Sequence, residues 1–407
     1  SVALSGKVKN PALWKLAAAH LSFMAGKYRT AENLIDQVRN EKSVNPAMKF
    51  QIALTDAMIV FYSDSVIDDQ SEAKIFERIQ ELLTYKNRIA KFDQLYSHFL
   101  LALSKKYEMA GNIEKAGLLQ SKHDIAMRYN YNKGCDYAYS YFYYLDDHAR
   151  PQDVKNIVSL IDRKNKTPYE KFLTDSVMRH RERLLDLCGT LYLREDLLEQ
   201  AYGAYSQIPD SFWITDQYSY KIYLNSNPFY TDYMPNDMHT KRVGDTICYN
   251  KTEFVRKLIE IKRKADSGKD RGKYYFLLGN AYYNMSYYGN SWMMTKYWWS
   301  GGEDYELKRS KSNDVYYGCE KSKRYYLKAM EYSGNKALAA LSCRMAGKCE
   351  MHLMTYADKN VRDDAGNAYH SNKYYRMIGK EYSEYSEELL EECFSSKDFL
   401  GKYQVNF

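Results

Sequence analysis

The sequence predicts an all-α protein built as a stack of antiparallel helical hairpins. Three observations carry that expectation. Apolar residues recur at steps of three and four along most of the chain, which is the spacing of one helix face. Small and large residues repeat in a fixed order at several helix pairs. All seven Pro lie at or before Pro235, so the rest of the chain lacks the residue that most reliably interrupts a helix.

The clearest hairpin is CGTLYLREDLLEQAYGAYSQIPDSFW, from Cys188 to Trp213. Leu185, Cys188, Gly189 and Tyr192 form one stripe. A second helix begins near Asp196, with Leu198, Ala201, Tyr205 and Ile208 on one face, and Pro209-Asp210 closes it. Gly189 and Ala201 are small where two backbones must approach, and Tyr192 and Tyr205 are large enough to fill the wedge between neighbouring hairpins. The same order recurs in WKLAAAHLSFMAGKYRTAENLIDQV, with Gly26, Tyr28 and Ala31 at the turn, and in FLLALSKKYEMAGNIEKAGLLQ, with Leu103, Tyr107, Gly111, Ile113 and Ala116. YFLLGNAYYNM supplies Leu278, Gly279 and Tyr282. Its partner helix is displaced to CEKSKRYYLKAMEYSG, where Ser322, Tyr326 and Ala329 have the spacing of Ala201, Tyr205 and Ile208.

These hairpins resemble tetratricopeptide repeats (TPR), whose signature runs W-x2-LG-x2-Y, then G-x-Y-x2-A, then F-x2-A and a closing P. Gly26-Lys27-Tyr28 with Ala31, and Gly111-Asn112-Ile113 with Ala116, match its turn. Leu278-Gly279 with Tyr282 matches its first helix, and Cys188-Gly189 with Tyr192, Ala201 and Tyr205 matches both. Ala19 and Ser104 stand in place of the first-helix Gly in two copies, and the intervening helices depart from the signature. The resemblance implies a TPR-like α-solenoid with one long intra-repeat insertion, whose first helices present a concave face to a peptide or protein. Lys15, His20, Lys106, Thr190 and Asn280 are the expected lining of that face.

Between the matching units the pattern predicts helices over Pro46–Tyr62, Ser71–Tyr85, Asp93–Ala110, Ile113–Tyr129, Asp136–Leu145, Asp153–Arg163 and Pro168–Met178. Residues 1–210 thus read as N-terminal hairpins. Residues 211–252 are an irregular connection with turn signals at Asn225-Ser226-Asn227-Pro228, Pro235-Asn236-Asp237 and Gly244-Asp245, after a helix over Ser211–Leu224. Residues 253–407 return to hairpins, starting with a basic amphipathic helix over Glu253–Ala265. The insertion spans residues 289–318, and Tyr374–Phe394 reads as one terminal helix.

Charge and chemistry narrow the function classes. Lys+Arg number 59 and Asp+Glu 52, a net charge of +7 that is mild over 407 residues and does not mark a nucleic-acid surface. Basic clusters at Lys308, Arg309 and Lys311, at Lys321, Lys323 and Arg324, and at Lys257, Lys262, Arg263 and Lys264 are diluted by acids and read as solvated faces. The seven Cys form no CxxC, and their odd number rules out complete pairing within one chain, so they read as buried thiols. The eight His form no HExxH or HxH, and His239 beside Asp232 and Asp237 is an ordinary loop cluster. No phosphate-binding loop or nucleophile elbow is present. No metal or cofactor is expected.

The aromatic block from Tyr274 to Trp299 is the one unusual feature. Trp292, Tyr297, Trp298 and Trp299 sit in an insertion that stacking does not require, so they are the candidate contacts for a partner. The competing use is to plug the insertion against the repeats. The expected function is non-catalytic: protein–protein interaction or scaffolding. The alternative is a glycan- or carbohydrate-associated binding protein of the cell envelope, since the aromatic surplus resembles envelope helical-repeat proteins of gut-type bacteria. That resemblance implies a periplasmic or outer-membrane-associated location, with cytoplasm the alternative. The chain has no long apolar run for a membrane span. It begins at Ser1 rather than Met, which suits both a processed product and a piece of a longer protein.

Overall fold

A computed structural model describes residues 8–41, 44–63, 67–129, 141–214, 227–229, 249–297, 299, 311–357, 372–391, 394–405 and 407. Regular structure among them is helical, with no strand. The chain divides into two compact units, residues 1–184 and 185–407.

The first unit contains α1 (Pro11–Met24), α2 (Tyr28–Arg39), α3 (Pro46–Ser63), α4 (Asp69–Leu83), α5 (Phe92–Met109), α6 (Ile113–Tyr129), α7 (Tyr143–His148), α8 (Pro151–Asp162) and α9 (Pro168–Thr174). Helices pack on their neighbours in sequence: α1 on α2, α2 on α3, α3 on α4, α5 on α6. Ala12, Leu16 and Ala19 of α1 meet Ala31, Leu34, Ile35 and Val38 of α2. The helix starts have local causes. Asp68 caps α4 by accepting from the Ser71 amide, and Thr167 and Glu170 form a reciprocal capping box at α9 behind Pro168.

The second unit holds the greater part of α10 (Arg181–Arg194), then α11 (Leu198–Tyr205), α12 (Asp210–Ile214), α13 (Lys251–Ser267), α14 (Arg271–Asn284), α15 (Lys311–Tyr316), α16 (Glu320–Tyr332), α17 (Lys336–Ala357), α18 (Lys373–Glu381), α19 (Ser386–Leu389) and α20 (Ser396–Lys402). Again α11 packs on α13, α13 on α14, α16 on α17 and α17 on α18. The displaced hairpin read from the sequence is present: α14 packs on α16 across the intervening residues. A Cβ on Gly279 would lie 2.6 Å from the Tyr326 ring, and Ser322 Oγ donates to the Gly279 carbonyl at 2.7 Å. Gly189 stands in the same relation to Tyr205, 2.5 Å from its ring.

Three of the hairpin turns share one backbone solution. Gly26, Gly111 and Asp196 adopt left-handed φ of 71°, 77° and 65°. The following amide reaches back five residues in each: Lys27 to Ser22, Asn112 to Tyr107 and Leu197 to Tyr192, at 2.9, 2.8 and 3.0 Å. This is the Schellman closure, which glycine favours and a short acid tolerates.

Some expected elements differ. Tyr374–Phe394 is not one helix: the backbone leaves helical geometry at Tyr382 (φ −126°, ψ 37°), and a 3-10 turn, Ser383–Tyr385, separates α18 from α19. The helix expected over Pro168–Met178 stops at Thr174. In the stretch expected as Asp136–Leu145, the described helix is α7, beginning at Tyr143. The helix expected from Ser211 is described as far as Ile214, and most of the irregular connection lies outside the described residues, as do His239, Lys308, Arg309 and Trp298.

Candidate functional site

The helix α13 has two faces. Asn250 caps it, accepting from the Glu253 amide at 2.9 Å, while Glu253 Oε2 accepts from the Asn250 amide at 3.1 Å. From that fixed start Lys251, Phe254, Val255, Leu258, Ile261 and Ala265 turn inward and are buried. Glu253, Arg256, Lys257, Glu260, Arg263 and Lys264 turn outward. With Glu199 and Tyr202 of α11, Tyr249 and Ile259, they line an open groove of about 800 Å3.

The charges in the groove are largely spent on each other. Glu260 accepts from Lys257 at 3.0 Å and from Lys264 at 2.6 Å, and these two bonds hold its carboxyl below the usual range. Arg263 pairs with Glu199 at 2.7 Å. Glu253 is engaged in the cap. Arg256 is exposed and has no carboxylate partner among the described residues. Tyr249 packs edge-on against Phe229 at 5.6 Å, which fixes one aromatic wall. Burial, then Glu253 and Glu260, raise the Tyr249 hydroxyl above its usual pKa, so it stays a neutral donor.

The inward face of α13 carries a second polar cluster of a different kind. Lys251 is fully buried, with Nζ 2.8 Å from the equally buried Asp186 carboxylate. Lys251 also donates to Thr190 Oγ1 at 3.0 Å. Tyr297 donates to the same oxygen at 2.9 Å, and Tyr205 OH lies 3.0 Å away. Lys251 Nζ sits 4.7 Å from the centre of the Tyr297 ring. Burial, then the Asp186 charge, push the Tyr205 hydroxyl well above its usual range. Arg194 donates to the Thr295 carbonyl at 2.7 Å. These contacts dock the start of the insertion against α10, α11 and α13.

The residues expected to contact a partner are therefore distributed unequally. Trp292 and Tyr297 are buried at 3 % exposure each. Trp299 is half-buried, stacked on Tyr287 at 5.3 Å, and donates from Nε1 to the Tyr287 carbonyl at 3.0 Å. Trp298 is outside the described residues. Thr190 and Asn280, expected on an open inner face, are both interior. Asn280 donates to the Phe229 carbonyl at 2.9 Å and accepts from Tyr326 at 2.8 Å, which ties α14 to α16 and to the turn at Phe229. In the first unit, Lys15 is committed to Glu41 at 2.7 Å. Lys106 donates to the Phe61 carbonyl and lies 4.7 Å from that ring. His20 is exposed next to Phe23, with ring centres 6.2 Å apart.

A third polar cluster joins the α10–α11 turn to α16. Asp196 lies 2.6 Å from Lys321 and 3.4 Å from Lys262, and accepts from Tyr282. Burial raises the Asp196 carboxyl, but Lys321, Tyr282 and Lys262 together hold it below its usual range. Burial lowers Lys321 to about 8 against the pull of Asp196. Cys188, Cys319, Cys343 and Cys349 are buried and unbridged, as expected of structural thiols. Among the described residues no group of His, Cys, Asp and Glu is arranged to hold a metal ion, and no helix is long and apolar enough to cross a membrane.

The described structure is thus all-α, many helices with contacts between successive helices, consistent with a generic helical-repeat arrangement. Comparison of the chain with protein-family models, with curated proteins and with solved structures finds no match.

Proposed function

We propose that this chain is a non-catalytic protein-binding module and that the α11–α13 groove is its binding face. The observation that carries this is the groove itself: an open channel on a helix whose other face is locked into the core, with two tyrosines on its walls and one guanidinium that has no ion pair among the described residues. Aromatic walls with an Arg are the side-chain types that supply most of the binding energy at protein interfaces. A glycan-associated role calls for an exposed indole platform. Among the described residues of the insertion Trp292 is buried and Trp299 is stacked on Tyr287, so the insertion supports that role less well than the groove supports protein binding; Trp14, 49 % exposed, belongs to the first unit.

The test is affinity capture from the source organism, with the parent compared against a Tyr202→Ala/Arg256→Ala double variant that has the same circular dichroism. A protein retained by the parent and lost by the variant is the expected result. Equal recovery by both would remove the groove as the binding face.

A further inference from the structure

The charge inventory of the groove bears on its occupant, given that it is a protein-binding face as proposed above. Two of the three lining carboxylates are in ion pairs, Glu199 with Arg263 and Glu260 with Lys257 and Lys264, while Glu253 accepts one backbone N–H at the helix cap and keeps its charge. Four lining cations face them, and only Arg256 lacks an anion among the described residues. Four lining cations against three carboxylates leave the groove one positive charge in excess, on a lining that also includes Tyr202 and Tyr249.

A guanidinium meets a carboxylate through two parallel N–H···O bonds, which gives direction as well as attraction. A nucleic-acid backbone presents a charge at every step and is matched by a row of uncommitted cations, which this groove does not offer. A neutral sugar is held through several side-chain amides and carboxylates at once, and the lining holds no Asn, Gln, Asp or His. Glu253 to Lys264 spans about 16 Å along the helix axis, the reach of roughly five residues of extended peptide.

From these features we infer that the groove takes an acidic peptide segment: Arg256 pairs with an Asp or Glu side chain of the segment, and Tyr202 and Tyr249 pack its apolar neighbours.

The test is selection of a phage-displayed random dodecapeptide library on the full chain and, in parallel, on Arg256→Ala, Arg256→Lys and Tyr202→Ala. The expected pool from the parent is enriched in Asp or Glu next to aliphatic or aromatic residues. A labelled peptide from it should bind about tenfold more weakly when its acid is replaced by the matching amide, or when Arg256 is Ala. Arg256→Lys should restore part of that loss, and Tyr202→Ala should weaken binding while leaving the acidic preference in place. A pool with no acidic enrichment that still depends on Tyr202 overturns the acidic preference and leaves the groove as a peptide site. An identical pool from Arg256→Ala overturns it in the same way. No enrichment on the parent over a Tyr202→Ala/Arg256→Ala variant overturns both. Retention of an oligoglucuronate on the parent, with no peptide enrichment, also overturns both and reassigns the groove to an acidic glycan.

Discussion

The stretch from Tyr274 to Trp299 and the helix from Lys251 to Ser267 lie next to each other in sequence, and the fold uses them in opposite ways. The first is crowded with aromatics and invites assignment as a contact surface. Its Tyr275, Phe276, Tyr282, Tyr283, Trp292 and Tyr297 are instead buried. The second is a plain charged helix, and its outer face lines the open groove. The physical difference is what each side chain loses in water. Each aromatic gains by removing a large apolar area from solvent, so a dense run of them collapses onto whatever core is within reach. Charged side chains resist that transfer and remain where a partner can meet them. Lys251 is the exception, held inside because Asp186, Thr190 and two tyrosine rings surround it.

The comparison is broken most severely by cutting into the buried side. Asp186→Ala strands the Lys251 charge in the interior and should cost about 3–5 kcal/mol. Replacing the pair together, as Lys251→Met/Asp186→Leu, should cost less than either single change, because no charge is then left alone. Urea unfolding midpoints at constant slope measure both. Trp292→Ala should cost a comparable 3–5 kcal/mol by leaving a cavity. A loss below about 0.5 kcal/mol would mean that Trp292 is a surface residue after all.

A smaller effect is expected where helices touch. At Gly189→Ala and Gly279→Ala the new methyl meets the rings of Tyr205 and Tyr326. Those rings cannot swing away easily, because their hydroxyls are tied to Thr190 and Asn280 at 3.0 and 2.8 Å. Each substitution should destabilise by about 1–3 kcal/mol. Gly203→Ala, with nothing within 4 Å, is the matched control and should not.

Acid sharpens the comparison further. His180 in the first unit is lowered to about 4 by burial, Arg183 and Arg179, and burial with Lys348 holds His352 in the second unit well below its usual value. Between pH about 6.5 and the folded-state value each imidazole takes a proton only in the unfolded chain. Stability is therefore lost as pH falls through that window. The unfolding midpoint should drop between pH 7 and pH 5, and His180→Gln should flatten the drop. An unchanged slope in that variant would contradict the burial assigned to His180. The smallest effect on stability belongs to the groove: Arg256→Ala should change the unfolding free energy by less than about 0.5 kcal/mol, because Arg256 is exposed and holds no ion pair among the described residues.

Much of the fold was legible in the sequence because it is local. The small residue at Gly189 and Gly279, three positions before a tyrosine, and the ring at Tyr205 and Tyr326 reappear as direct helix contacts. Even the displaced pairing of α14 with α16 followed from spacing alone. The groove was not legible, because α11 and α13 are far apart in sequence and the stretch that joins them shows no helical pattern beyond Leu224. Lys257, Arg263 and Lys264 read as a solvated face, and Arg263 and Lys264 are indeed exposed, but nothing local shows that Glu199 lies opposite Arg263. Lys251 was missed for a related reason. The helix was expected to begin at Glu253, which left Lys251 in the connection, and lysine is rarely buried. The Asn250-x-x-Glu253 pattern is a capping box and was the available signal for the earlier start.

The account rests on one contrast, an open groove at α13 against an aromatic insertion consumed by packing. Site-specific photo-crosslinking in the source cells tests it most directly, with p-benzoylphenylalanine placed at position 202 in one sample and at position 299 in another. The predicted result is a crosslinked protein from position 202, lost when Arg256 is also Ala, and none above background from position 299. Capture from position 299 with none from position 202 would contradict it.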